Sequence, residues 1–348
     1  MLKNQPWLKQ ALVLLAAVLI GAVLQSLITS KVFSGYQNIV ILYMCIFIIA
    51  AVSLNLVVGI TGQFSLGHAG FMALGGYFSA IITKTGLFGL TETIPIPSGL
   101  LFLLGLLVGG IIAAIAGFII GLPTLRLRGD YLAIATLGFG EIIRILFLNW
   151  KYVGQAAGYS GITRHTTITW ALVLVVITVI IIRNFINSSH GRACISIRDD
   201  EVAAEAMGID TTKYKVTAFV IGAFFAGISG AMLTHLMRVA QPMMFSFMIS
   251  VEVLLMVVLG GLGSITGSIA AAVFLVLLSE WFRNFSELRM VIYSFMLICV
   301  MLFRPKGLLG SREISLQLLR ESIDSLRDFP NQLRKRFSKD ADRQKEVG

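Results

Sequence analysis

Apolar runs long enough to cross a bilayer recur along almost the whole chain, and they constrain its fold more than any single residue does. About 20 consecutive apolar residues are enough to span the hydrocarbon core. Ten such hydrophobic segments lie near 11–29, 38–58, 64–83, 98–122, 131–149, 168–186, 215–236, 248–262, 265–282 and 288–303. The runs do not alternate in polarity, which excludes a β-barrel. Only 13% of residues are charged, against about 25% in soluble domains. The expected fold is an all-α polytopic membrane protein of about ten hydrophobic segments, some short or broken, with a short cytoplasmic helix. The fifth, eighth and ninth segments are the weak ones. Half-helices survive at membrane depth only inside protein or beside a water-filled cavity. The first segment follows MLKNQPWLKQ and is read as an uncleaved span, because no small-x-small cleavage site follows it.

Charge sets the expected orientation. With the N-terminus inside, segments 1–10, 123–130, 183–215 and everything after 303 carry 20 of the 28 Lys and Arg residues. The opposite side carries Lys31, Lys84, Lys151, Arg164, Arg238, Arg283 and Arg289, and Arg144 falls within a span. This bias predicts that both termini are cytoplasmic. It also accounts for the net charge of +10 without nucleic acid as a partner.

Small residues recur at four-residue spacing, at Ser65, Ala69 and Ala73, at Gly109, Ala113, Gly117 and Gly121, and at Ala218, Gly222, Ala226 and Gly230. Residues four apart share a helix face, so these ridges predict closely packed helices. The division that follows is a transmembrane domain over 1–310, with a cytoplasmic loop at 187–214, and a basic cytoplasmic tail over 311–348. In the loop, Ser196 and Asp199 have capping-box spacing, Glu201 to Met207 is a short helix, and Gly208 terminates it. In the tail, Leu316, Leu319, Ile323 and Leu326 make one apolar stripe on an otherwise charged helix.

Most enzymatic signatures are missing. The chain has no HExxH, no GxSxG and no Gly-Lys dipeptide, so a Walker A loop is excluded. Cys45, Cys194 and Cys299 are far apart and the four histidines are dispersed, which leaves no metal site. Ionisable residues inside spans are the default functional candidates. Glu141 and Arg144, three apart on one helix face, are read as a candidate intramembrane ion pair. Glu252 and Glu280 are read as solvated near the outer interface, Glu280 close to Arg283. Such a scarcity of buried acids argues against a proton-driven carrier.

Two glycine-rich stretches remain, GITGQFSLGHAGFMALGGY at 59–77 and LGGLGSITGS at 259–268. Broken helices expose backbone N–H and C=O groups, which in transporters line the substrate path. Gln63, Ser65, His68, Gly260, Gly261, Gly263 and Ser264 are therefore the candidate translocation path. For His68 alone, a hydrogen-bonded interior role is read ahead of a ligand role.

Four ordered motifs carry a resemblance: GQFSLGHAGFMALGGY, GDYLAIATLGFGEIIR, RDDEVAAEAMGI followed by KYKVTAFVIGAFFAGISGAM, and SVEVLLMVVLGGLGSITG. Over about residues 38–308 the chain resembles the LivM-type permease subunits of bacterial branched-chain amino acid ABC transporters. The resemblance implies no cofactor bound by this chain and ATP hydrolysed by partner subunits. The implied partners are a homologous second permease, two cytoplasmic ATPases, a periplasmic or lipid-anchored solute-binding protein, and membrane lipids. It puts Arg198, Asp199, Glu201, Ala203, Ala204, Glu205 and Gly208 at the ATPase contact. The implied function is import of branched-chain or related hydrophobic amino acids by alternating access. The alternatives are a permease of the same superfamily for urea or short amides, an ATP-independent channel or secondary carrier, and a membrane scaffold.

Overall fold

The computed structural model describes residues 6–29, 35–89, 97–125, 127, 129–283 and positions 291, 294, 295, 298 and 302. The tenth hydrophobic segment lies almost wholly outside the described residues, and the amphipathic stripe of the tail lies entirely outside them.

Eleven α-helices follow in order among the described residues. They are α1 Pro6–Thr29, α2 Gly35–Asn55, α3 His68–Gly89, α4 Ser98–Thr124, α5 Asp130–Asn149, α6 Ile168–Asn187, α7 Ser189–Asp199, α8 Glu201–Ala206, α9 Thr211–Met237, α10 Phe247–Gly260 and α11 Ile265–Trp281. Six helical segments are long and apolar enough to cross a membrane: Gly35–Ile60, Ser98–Thr124, Asp130–Asn149, Ile168–Asn187, Thr211–Met237 and Pro242–Gly260. The chain is an all-α polytopic membrane protein. One two-stranded ribbon, β1 Tyr159–Ser160 with β2 Val239–Ala240, pairs antiparallel between the ends of the helices.

α9 is the central helix, buried along almost its entire length. Its neighbours α3 and α4 meet it through the small-residue faces. A methyl on Gly117 would sit 2.6 Å from Ala223 Cβ, one on Gly227 2.6 Å from Ala113 Cβ, and one on Gly109 2.6 Å from the Gly75 carbonyl. At Gly75 and Gly230 a methyl would collide with the backbones of Gly227 and Met72 respectively. Without a hydrophobic force between helices in lipid, such close backbone approach supplies the dispersion contacts that hold a bundle. The first ridge is corrected, because Ser65 lies before α3 in non-helical chain and only Ala69 and Ala73 belong to that helix. Outward faces stay apolar: Ile111, Ile115, Phe118, Ile119 and Leu122 of α4 and Ile134, Ile142, Ile145 and Leu146 of α5 are exposed. A protein in water would not leave so large an apolar belt uncovered.

Two ends of the bundle are distinguishable. At one end Lys84 donates to the Ser160 carbonyl at 2.8 Å and lies 4.3 Å from the centre of the Tyr159 ring, beside the β1–β2 ribbon. α7 and α8 lie at the other end. They form the longest polar excursion from the bundle, and they carry one correction. Ser196 lies inside α7, its hydroxyl donating to the Ala193 carbonyl, so it caps nothing. Asp200 is the cap instead, accepting from the amides of Val202 at 2.9 Å and Ala203 at 3.0 Å. The acidic run at 199–201 offers three carboxylates, and the kink between the two helices selects the middle one. α8 stops at Gly208, which has φ of +84° and donates to the Glu205 carbonyl while Ile209 donates to that of Ala204. That double closure is the Schellman arrangement, which favours glycine.

Candidate functional site

α2 does not end at Asn55. It widens into a π-helical turn over Leu56–Ile60, where the Thr61 hydroxyl donates back to the Val57 carbonyl at 2.5 Å and the Gln63 amide to the same oxygen at 3.1 Å. Single π turns inside helices are rare and occur mostly at functional sites. The chain then runs non-helically through Gly67. The Leu66 amide donates to Thr136 Oγ1 of α5 at 3.0 Å. His68 begins α3 with Nε2 3.0 Å from Ser53 Oγ, and the free Ala69 amide of the first turn donates to Ser250 Oγ of α10 at 2.9 Å.

The second break is shorter. α10 closes with the Gly261 amide on the Val257 carbonyl at 3.0 Å, the chain turns through Gly261 and Gly263 at φ of +110° and +88°, and Ser264 caps α11 by accepting from the Gly267 amide at 3.1 Å. Both turn residues have backbone angles that side chains other than glycine rarely adopt. α11 has 17 residues, about 25 Å at 1.5 Å per residue and shorter than a ~30 Å hydrocarbon core, while α10 has 14 and reaches spanning length only together with the preceding turn from Pro242.

The two breaks meet. Asn55, buried, donates from Nδ2 to the Ser264 carbonyl at 3.0 Å and accepts on Oδ1 from the Gly263 amide at 2.9 Å. One carboxamide thus satisfies both backbone groups of the second break from within the helix that carries the first. Gly59 allows this approach, since a methyl there would collide with Asn55 Oδ1 and the Gly263 amide. Arg198, from the end of α7, completes the junction. Its Nη1 donates to the Gly59 carbonyl at 3.1 Å, its aliphatic stem lies against Gly62, and its Nε and Nη2 hold Asp199 Oδ1 at 3.1 and 2.9 Å. Gly263 lies close enough that a methyl on it would be 3.3 Å from Arg198 Nη1.

The residues picked out from the sequence therefore divide into groups. Gly260, Gly263 and Ser264 belong to the junction, together with Arg198. Gln63, Ser65 and His68 are buried in the first break, and both polar atoms of the Gln63 amide have no hydrogen-bond partner among the described residues. Gly261 forms the turn. Glu141 and Arg144 pair at 2.7 Å on α5, and Glu141 lines a small cavity with Leu66, Ala69 and Ser250 beside the first break. In the α7–α8 segment Glu201 is tied inward to Lys215 at 2.8 Å and Ala204 is buried, whereas Asp199, Ala203, Glu205 and Gly208 face outward. Burial also pushes the Cys194 thiol of α7 up to about 11.

Sequence reasoning passed over Asn55, Ser53, Thr136 and Ser250, the partners that tie the breaks to intact helices. Each is a lone polar residue in an apolar run, and in a membrane helix that alone signals a partner on another helix. It also passed over Val202 of α8 and Met207 just after it, which are 65% and 82% exposed. Among the described residues no group of three or more His, Cys, Asp or Glu side chains is placed to hold a metal ion.

Comparison with known proteins bears on this geometry. Residues 35–301 match the family described as "Branched-chain amino acid transport system / permease component". The chain is 36% identical over 339 residues to the high-affinity branched-chain amino acid transport system permease protein LivM of Escherichia coli (strain K12), covering 87% of this chain and 76% of that protein. It is 36% identical over 308 residues to LivM of Salmonella typhimurium (strain LT2), covering 78% and 70%. LivH of the same Salmonella strain is 28% identical over 288 residues, covering 76% of this chain and 91% of that protein. No solved structure matches the chain. With a family match across most of its length and LivM relatives above 30% identity over two thirds or more of both partners, this chain belongs to the branched-chain amino acid transport system permease family.

Proposed function

We propose that this chain is the permease subunit of an ABC importer that moves branched-chain or related hydrophobic amino acids across a bacterial inner membrane, driven by separate ATPase subunits. The observation that carries the reading is Arg198, a residue of the α7–α8 segment bonded to the Gly59 carbonyl at the point where both helix breaks are tied together. A segment on the polar end of the bundle is mechanically joined to the only places where the membrane helices are interrupted among the described residues.

The mechanism follows from that joint. The exposed face of α8, with Ala203, Glu205, Gly208, Val202 and Met207, is where an ATPase docks. ATP-driven closure of two such ATPases pulls α7–α8, and Arg198 carries the pull to Gly59 and Gly263. Breaking the Asn55 clamp lets α10 and α11 part from α2 and opens the path past Gln63, Ser65 and His68. Reciprocity requires that solute arrival favour the same rearrangement that ATP does. Transport needs no nucleotide or metal bound by this chain. About ten spans are proposed, with α10 and α11 as a short pair, both termini cytoplasmic, and residues 311–348 as a separate tail.

Partners on this reading are a homologous second permease, two ATPases and a solute-binding protein. The similarity of this one chain to both LivM and LivH supports a pair built from two related permeases. Affinity purification from the native membrane in mild detergent, with mass spectrometry of the co-purifying chains, tests it. Recovery of a second permease and P-loop ATPases is the expected result. Recovery of only copies of this chain, with added ATPases failing to bind, sinks the importer in favour of an ATP-independent channel. Arg198→Ala in the reconstituted complex should leave ATP hydrolysis intact while uptake falls about tenfold or more, as expected for a lost charged hydrogen bond.

A further inference from the structure

The end of the bundle opposite α7–α8 contains a cavity that neither the family nor the helix breaks assign. It measures about 410 Å³ and lies between α2, α10 and α11. α2 supplies Tyr36, Val40, Tyr43 and Phe47 from one helical face, α10 supplies Ile249 and Glu252, α11 supplies Val276, Ser279 and Glu280, and the turn just after α11 supplies Arg283. The volume falls in the ~300–1,000 Å³ range of small-molecule sites.

Its chemistry is graded along its depth. Glu280 and Arg283 sit together at the outer end of α11, their charged groups 3.9 Å apart, with the Arg283 guanidinium 4.5 Å from the Tyr36 ring centre. That separation is long for a paired carboxylate and guanidinium, which close to ~2.8 Å when tight. Arg283 and Glu280 are 64% and 33% exposed and both also hydrogen-bond the Tyr36 side chain, so a ligand displaces a weak ion pair together with those Tyr36 contacts. Below them Val40, Phe47, Ile249 and Val276 make an apolar wall. The cavity ends near Phe47 and Glu252, eight residues before Asn55 on α2 and eight before Gly260 on α10. At 1.5 Å per residue that places its floor roughly 12 Å short of the clamped junction.

We propose that this cavity is a receiving site for a zwitterionic aliphatic α-amino acid, its carboxylate on Arg283, its ammonium on Glu280 and its side chain against Val40, Phe47, Ile249 and Val276. The proposal rests on the reading of the chain as an amino-acid permease and adds the site and the recognition chemistry. Two opposite charges at the mouth and an aliphatic wall match a molecule with both charges on one carbon and a branched alkyl tail, while Tyr43, Ser279 and Glu252 add polar groups along the lining, the last two engaged by contacts of their own. Urea carries neither charge nor tail and gains nothing from that arrangement. A second cavity of about 440 Å³, lined by Phe78, Ile81, Ile82, Thr85, Val108, Ile112, Trp150 and Tyr152, holds no charged group among its described lining and lacks this chemistry.

A phosphoethanolamine lipid headgroup shares the paired charges, so the test has to separate it from a free amino acid. Saturation-transfer NMR on the detergent-purified, nucleotide-free complex, titrated with leucine, alanine, urea and O-phosphoethanolamine, reads weak binding directly. We expect saturation on the leucine methyls, competed by isoleucine but not by urea. Arg283→Gln should raise the apparent Kd for leucine about tenfold, the loss of one charge-assisted contact. Val276→Phe should weaken leucine several-fold while sparing alanine, a selectivity that a misfolded protein does not produce. Unchanged leucine binding in Arg283→Gln, equal loss of leucine and alanine in Val276→Phe, or O-phosphoethanolamine outcompeting leucine would each overturn the site. Uptake by the same complex with its binding protein in proteoliposomes is the control. Leucine uptake without this binding defeats the site alone, and absence of any amino-acid uptake defeats the underlying reading.

Discussion

The two helix breaks look alike in sequence and differ in structure. Both are rich in Gly, Ser and Thr and both interrupt apolar runs. At the second, the turn amides of Gly261, Gly263 and Ser264 all find acceptors, and the Ser264 side chain caps the helix that follows. At the first, the backbone amides of Gln63 and Leu66 are tied to Val57 and Thr136, but the buried side-chain amide of Gln63 pairs with nothing among the described residues. A fully satisfied break is a fixed joint, whereas a break with an unused buried amide has polar capacity to offer a passing solute. Leaving such a group unpaired costs about 1–3 kcal/mol, so the difference is energetic as well as geometric.

Adding one methyl should disturb the comparison most. In Gly59→Ala the new Cβ collides with Asn55 and the Gly263 backbone, which cannot yield as a flexible side chain would. Overpacking of this kind costs about 1–3 kcal/mol or more, read as a lower melting temperature of the purified complex and loss of uptake. Wild-type stability in that variant would mean that the breaks do not touch as described.

Removing the clamp comes next. Asn55→Ala deletes two hydrogen bonds and strands the Gly263 amide and Ser264 carbonyl, for a destabilisation of about 1–3 kcal/mol by thermal melting. ATP hydrolysis should then continue with little uptake, because Arg198 pulls on a joint no longer closed. Tight coupling in Asn55→Ala would remove the clamp from the mechanism.

Gln63→Leu should move stability the other way. Replacing an unpaired buried amide with a hydrocarbon of similar size relieves a desolvation penalty, so the complex should gain up to about 1 kcal/mol while losing transport. If both Gln63→Leu and Asn55→Ala lower stability alike, the contrast between the breaks disappears.

The smallest effect is a reporter. Cys194 is buried on α7, with its thiol pushed up to about 11 by burial. Only the thiolate reacts readily with maleimide. In a background carrying Cys45→Ala and Cys299→Ala, which leaves Cys194 as the single thiol, labelling near neutral pH should be slow and should rise steadily in alkaline buffer. Faster labelling during ATP turnover would report movement of the α7–α8 segment against α9, and a turnover-independent rate would count against that movement.

The membrane class and most helix positions were legible because continuous apolar runs leave the backbone no option in lipid except helix. The end of α8 at Gly208 was legible too, since it depends on one residue's backbone freedom. The cap was not: Ser196 and Asp200 both have side chains that cap helices, and only the kink after Asp199 decides between them. Ser65 was misplaced onto α3 for a related reason, because periodicity cannot say where a broken helix restarts. Among the candidate residues, composition pointed to both breaks and to the α7–α8 loop separately. It did not show that they touch.

What the sequence by itself determined was therefore local: apolar length, small-residue faces, glycine breaks, a polar loop lacking any nucleotide motif, and the motifs that carry the family resemblance. The tertiary structure decided what those pieces do to one another. Asn55 and Ser264 are separated by more than two hundred residues, and Arg198 is as remote from Gly59 in chain terms as it is near in space. A hydrogen bond acts over about 3 Å and carries no mark in the sequence of where its partner will be, so only the packed bundle brings loop, breaks and clamp into one site.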